Sequence, residues 1–235
     1  MRRPTLAPTR VDSYDPPVRD FQSGTHAVIF DLDGVIADSE PLHRLAFGRL
    51  FEELHLDPAP LEDWQRFVGT SDRQVLVALL AGRDVGHSVD ELLERKGALF
   101  LESLRAKEPL FPEIPALVEA LARRYALAVA SGSLRTAIAG VLALQELRRF
   151  FRHVVSVQDV ARGKPAPDLF LQAAALLGAP PAACVVIEDS VAGVTAALAA
   201  GMRVIAITNT TPAERLVAAD AVVATYQQVR ELLLG

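Results

Sequence analysis

The chain has 235 residues, 51% of them hydrophobic and 23% charged, enough for one large domain or two modest ones around a buried core. A net charge of −5 excludes a general binder of nucleic acid or of anionic membranes, which needs a basic face, so any affinity for phosphate has to be local. The single cysteine, Cys184, excludes an intrachain disulfide, sits in an apolar run that reads as core, and fits a reducing compartment.

Residues 1–24 carry Pro4, Pro8, Pro16 and Pro17 among charged side chains, with no continuous apolar stretch of the kind a secretory signal requires. They read as a flexible extension on a soluble, cytoplasmic protein. Next, Ala27-Val28-Ile29-Phe30 suits a buried strand and runs straight into Asp31-Leu32-Asp33-Gly34-Val35. Two carboxylates would project from the strand's carboxyl edge, where open α/β sheets bind ligands. An ordinary Asp-Gly turn is the other reading of this short string.

The periodicity then becomes helical for roughly seventy residues, with Leu42, Leu45, Ala46, Leu50 and Leu54 recurring at spacings of three to five. Trp64, Phe67, Val75, Leu76, Leu79 and Leu80 follow, and a last amphipathic stretch from Val89 to about Ala106 ends before Pro109 and Pro112, where a hinge is expected. From Glu113 onward strands at 126–130, 153–157, 184–188 and 203–207, with a short edge strand at 221–223, alternate with helices. That alternation predicts a doubly wound parallel sheet covered on both faces. No segment qualifies as a membrane span, since the apolar stretch from Val191 to Ile207 is broken by Gly193, Gly201 and Arg203.

Polar residues stand where these strands end. Ser131-Gly132-Ser133 offers a hydroxyl and backbone N–H groups to a phosphate, or simply caps a helix. Gly163-Lys164-Pro165-Ala166-Pro167-Asp168 presents a lysine on a loop stiffened by two prolines, and Ile187-Glu188-Asp189-Ser190 again delivers carboxylates to a strand end.

In order and spacing, Asp31-Leu32-Asp33-Gly34-Val35, Ser131, Lys164 and Glu188-Asp189 resemble the four sequence motifs of the haloacid dehalogenase superfamily, across about residues 26 to 210. The finer strings Ile36-Ala37-Asp38-Ser39-Glu40, Gly163 to Phe170 and Ile187 to Gly193 resemble its β-phosphoglucomutase-like branch. The resemblance implies a Rossmann-like α/β core over residues 25–39 and 109–235, with an inserted all-helical cap over 40–108. It implies that Asp31 is the nucleophile that becomes an aspartyl-phosphate and Asp33 the general acid and base. Ser131, Gly132 and Lys164 would hold the phosphate, and Asp31, Asp33 (through its carbonyl), Asp189 and, in an outer role, Glu188 would hold Mg²⁺. The presence of Asp33 disfavours the dehalogenase and phosphonate-hydrolase branches, which lack it.

Substrate choice is expected in the cap, with His43, Thr70, Ser71, Arg73 and Lys96 as candidates beside Asp72 and Arg95. Mutases of this branch place an arginine in a Gly-x-Ser-Arg string; here Gly69-Thr70-Ser71-Asp72-Arg73 puts an acid there. The expectation is therefore a monomeric, Mg²⁺-dependent phosphatase acting on a small phosphorylated metabolite, a sugar or polyol monoester, with no nucleic-acid or membrane partner. A β-phosphoglucomutase is the alternative, and a non-catalytic binding protein on the same scaffold is a third reading that the intact motifs disfavour.

Overall fold

A computed structural model describes residues 20–67, 69–81 and 83–235. Six strands form one parallel sheet: β1 (Ala27–Phe30), β2 (Ala126–Ser131), β3 (His153–Ser156), β4 (Cys184–Glu188), β5 (Arg203–Ile207) and β6 (Ala221–Val223), in the order β3-β2-β1-β4-β5-β6. The helices are α1 (Glu40–Glu53), α2 (Asp72–Leu80), α3 (Val89–Ala106), α4 (Ile114–Ala122), α5 (Arg135–Ala143), α6 (Asp168–Leu177), α7 (Val191–Ala199) and α8 (Tyr226–Leu234).

Because side chains alternate along a strand, the sheet has two differently built faces. Val28, Phe30, Leu127, Val129, Val185 and Ile187 face one core with α4, α5 and α8. Ala27, Ile29, Ala128, Ala130, Cys184 and Val186 face the other, where Ala173, Ala174, Ala196 and Ala197 of α6 and α7 meet them. Small residues on both sides of that second interface let the helices pack close. Strand order puts β1 between β2 and β4, so the ends of the three strands that carry the polar motifs are neighbours.

Helices α1–α3 are inserted between β1 and α4, and Phe47, Leu50 and Phe51 of α1 pack with Leu92, Leu99 and Phe100 of α3 in a core continuous with the sheet's first face. Ser71 and Ser88 cap α2 and α3 in reciprocal boxes with Gln74 and Glu91. The two segments that join this insertion to the sheet are paired with each other: Asp38 N–H donates to Pro109 O at 2.8 Å, and Ala37 and Leu110 form an antiparallel bridge. Strand β3 ends at Ser156 rather than Val157, because the Ser156 hydroxyl starts a tight turn by accepting from Gln158 N–H. No helix among the described residues is long and apolar enough to cross a membrane.

The extension expected over residues 1–24 needs correcting at its inner end, while residues 1–19 lie outside the described residues. Phe21 is 1% exposed within the first core, the Thr25 hydroxyl donates to Phe21 O at 2.6 Å, and Arg203 donates to Asp20 O at 2.8 Å. Short and polar-flanked, the Phe21 segment has no periodicity to betray it. Replacing Phe21 by alanine is expected to cost about 3 kcal/mol in urea unfolding, as for other buried phenylalanines; a loss below about 1 kcal/mol would show that the segment does not belong to the core.

Candidate active site

The end of β1 fixes the site. Asp31 N–H donates to Ile187 O at 3.0 Å, continuing the β1–β4 ladder one residue beyond the strand, and the chain then turns at Gly34. Gly34 has φ +77°, and a Cβ there would fall 1.9 Å from an Asp189 carboxylate oxygen, so only glycine permits both the turn and the approach of Asp189. Asn209 and Tyr226 pin the turn by donating to Gly34 O at 2.7 Å and Val35 O at 2.6 Å.

Lys164, presented by the loop after β3, reaches between β1 and β4. Its ammonium lies 2.7 Å from Asp31 Oδ1, without hydrogen-bond geometry, and donates to Glu188 Oε1 at 2.5 Å. The other oxygen of Glu188 accepts from Asp189 N–H, Ser190 N–H and the Ser190 hydroxyl at 2.8, 2.8 and 3.0 Å. Asp189 accepts from the Thr210 hydroxyl. Burial would lower the Lys164 ammonium, but Asp31 and Glu188 outweigh it and hold it above the ordinary range. Burial pushes Asp31 up to about 8, with Glu188 and Asp33 adding to the rise against the pull of Lys164, and burial beside Glu188 and Asp31 likewise raises Asp189.

Three buried carboxylates thus share one ammonium, and oxygen atoms of Asp31, Glu188 and Asp189 lie within 4.8 Å of one another. An all-oxygen donor set with excess negative charge and a buried Asp31 oxygen lacking a hydrogen bond suits a hard divalent cation such as Mg²⁺.

Asp33 is surrounded differently. Its Oδ1 accepts from Ser39 at 2.5 Å and lies 3.1 Å from His43 Nε2, and its Oδ2 accepts from Ser131 at 3.2 Å and Ser133 at 2.7 Å. Burial raises this carboxyl, but the charge of His43 and the bonds from His43, Ser39 and Ser133 outweigh it and hold Asp33 below the usual carboxylate range. Behind His43, Lys96 Nζ lies 2.5 Å from Nδ1 and donates to Asp72 Oδ1 at 2.6 Å. Asp72 is what lets two basic nitrogens sit together there.

Of the cap candidates, the structure brings His43, Thr70 and Lys96 to the site: His43 and Thr70 line it, while Lys96, 1% exposed, stands behind Asp72. Ser71 is occupied as the cap of α2, and Arg73 pairs with Asp90 on the exposed face, while Arg95 pairs with Glu53 at 2.5 Å. Sequence reasoning passed over Ser39, Ser133 and Thr210, which bind the two acidic strand ends, and Glu40, whose carboxylate accepts from Trp64 Nε1–H at 2.6 Å at the cavity wall. Their signal was position alone: each lies within two residues of a motif or just past a strand end.

The cavity above Asp31 has a volume of about 30 Å³, room for about two waters. Gly69 of the insertion meets the core at Ser190, where a Cβ would lie 2.6 Å from the serine's Cβ. The insertion is therefore closed over the sheet.

An open parallel sheet with acidic residues and a lysine on its carboxyl edge, under a helical lid, defines a hydrolase of phosphate-handling type. The chain belongs to the haloacid dehalogenase-like hydrolases, whose family model matches residues 25–201. It is 34% identical over 204 residues to beta-phosphoglucomutase of Bacillus subtilis, covering 84% of this chain and 88% of that one. Against fructose-1-phosphate phosphatase YqaB of Escherichia coli it is 34% identical over 182 residues, covering 74% and 92%. Identity reaches 38% over 189 residues with the chloroplastic Suppressor of quenching 1 of Arabidopsis thaliana, 78% of this chain but only 18% of that much longer protein. Among solved structures, CbbY from Rhodobacter sphaeroides in complex with phosphate superposes with TM-score 0.79 at 26% identity, over 87% of this chain and 96% of that one.

Gly34→Ala tests the geometry apart from chemistry. It is expected to destabilise by about 2 kcal/mol or more, from left-handed strain and the clash with Asp189; unchanged unfolding in urea would mean that the turn does not sit as described.

Proposed function

We propose that the protein hydrolyses the phosphate monoester of a small sugar or polyol through an aspartyl-phosphate on Asp31. The observation that carries this reading is the convergence of Asp31, Asp33, Lys164 and Asp189 on one closed cavity. Relatives named as sugar phosphatases supply the substrate class.

In this reading the Asp31 carboxylate attacks phosphorus as the bond to the leaving oxygen breaks, and Asp33 gives that oxygen a proton. Water then attacks the phosphorus of the aspartyl-phosphate while Asp33 takes its proton, releasing phosphate and restoring Asp31. Lys164 and the N–H group of Gly132 steady the transferring oxygens, and Ser131 with Ser133 orients the acid. Asp31, Asp189 and the Asp33 carbonyl would hold Mg²⁺, with Glu188 behind them because its oxygens are already bonded to Lys164 and the α7 turn. The ion would supply neutralisation of charge at phosphorus, which a reaction this slow uncatalysed requires from several fixed groups. Closure of the lid over the strand ends excludes competing water.

Phosphatase is favoured over mutase by the cap. Arg73, the one arginine near the position where a mutase carries its own, is tied to Asp90 outside the cavity.

Purified protein with Mg²⁺ should release phosphate from fructose 1-phosphate or hexitol phosphates, and release should stop with EDTA. Asp31→Asn should lower turnover at least 10³-fold while leaving the fold intact by circular dichroism; activity within a few-fold of wild type would sink the assignment. Mg²⁺ should also raise the melting temperature, since it binds only the folded chain, and Asp189→Asn should abolish that rise. Glucose 6-phosphate formed from β-glucose 1-phosphate and a trace of the bisphosphate, without phosphate release, would establish the mutase instead.

A further inference from the structure

Asp72 is an acid where burial disfavours one. It opens α2, lines the cavity, is 9% exposed, and spends one carboxylate oxygen on Lys96 at 2.6 Å. An ion pair this buried costs the desolvation of both partners, and well-packed apolar residues often serve stability as well or better, so stability alone does not explain it. The charged groups that the insertion turns to the cavity are Glu40, His43 and Asp72. His43 is turned to Asp33, and Lys96 is masked by Asp72. Among the described residues, then, no cation of the insertion faces the cavity without a carboxylate on it. What it does present is acceptors: Glu40 and Asp72 each have one oxygen bonded, to Trp64 and Lys96, and a second oxygen with acceptor capacity left.

We propose that Asp72 is a specificity-determining residue: by holding Lys96 it makes the lid an acceptor of hydroxyl groups, so the leaving group is an uncharged polyol or sugar and a second phosphate at its far end is rejected. The proposal rests on the phosphomonoesterase reading above and names what that site excludes. A far phosphate carries about −1.5 to −2 at neutral pH and would meet Asp72 in a water-poor space where like charges are weakly screened. Hydroxyls donate to the same oxygens. Discrimination of this kind comes from a repulsive element facing the wrong ligand as much as from contacts to the right one.

The test compares an ester with its bisphosphate counterpart, in the first instance fructose 1-phosphate with fructose 1,6-bisphosphate, by phosphate release at saturating Mg²⁺. Wild type should favour the monophosphate at least tenfold in kcat/KM; parity or the reverse overturns the proposal. Asp72→Asn keeps the volume and unmasks Lys96, so the bisphosphate-to-monophosphate ratio should rise at least tenfold, mainly through a lower KM for the bisphosphate. Adding Lys96→Met should remove the part of that gain owed to the bare ammonium and leave the part owed to lost repulsion. An unchanged ratio in folded Asp72→Asn, or a gain that Lys96→Met does not reduce, overturns the proposal, and if Asp72→Asn does not fold the wild-type comparison decides. No phosphate release from any sugar phosphate would fail the phosphomonoesterase reading and this proposal with it. Release without preference fails the proposal alone.

Discussion

The ammonium of Lys164, buried between Asp31 and Glu188 at 2.7 and 2.5 Å, is the contact on which the site depends. It joins the end of β1, the end of β4 and the loop after β3, three segments far apart in sequence that the strand order makes neighbours. One positive charge among three buried carboxylates leaves the cluster short of compensation, and desolvation of such charges is costly. Part of the deficit is offset by hydrogen bonding: Glu188 accepts from two backbone N–H groups and a hydroxyl at the start of α7. That places Glu188 as the anchor of Lys164 and leaves Asp31 and Asp189 facing the cavity. A sheet in another order would scatter these charges and lose both the cost and the chemistry.

Asp31 and Asp33 are two residues apart and live in different surroundings. Asp31 answers to the sheet alone, through Lys164 and the β4 end. Asp33 is bonded from two sides, by Ser131 and Ser133 after β2 and by Ser39 and His43 at the start of the insertion. His43 in turn rests on Lys96 of α3, which rests on Asp72 of α2, so all three helices of the lid reach the Asp33 carboxyl through one line of contacts. Two chemically identical groups are thereby given different controls, one fixed and one sensitive to the lid.

The sheet was legible because its strands are short, unbroken apolar runs that end in polar residues, and because the polar strings recur at strand ends in a familiar order. The insertion was legible from helical periodicity. Pairings were not. Arg73 stands next to the position of interest, yet Asp90, seventeen residues on, takes it to the surface. Lys96 looks like a solvated helix lysine until α1 and α3 pack and bury it against Asp72 and His43. Ser133 and Thr210 serve carboxylates 100 and 21 residues away, a relation no local window contains. Phe21 falls in a stretch of turn-forming residues, and only the finished core shows that it fills a hole there.

A cavity of about 30 Å³ cannot admit a sugar phosphate, so the lid has to move for substrate to enter. The two connections that carry the lid are hydrogen-bonded to each other at Asp38 and Pro109, and again at Ala37 and Leu110, which makes them a single paired strap rather than two independent strings. With the strap paired, a rotation of the lid would have to be taken up beyond it, between Asp38 and the first turn of α1 and between Ala106 and Pro109. His43 lies in that first turn of α1. A movement there would carry it away from Asp33, whereas Ser131 and Ser133 stand at the end of β2 in the sheet. In the closed arrangement Asp33 has all four donors, and the one contributed by the lid's own helix, His43, is the one that closure supplies.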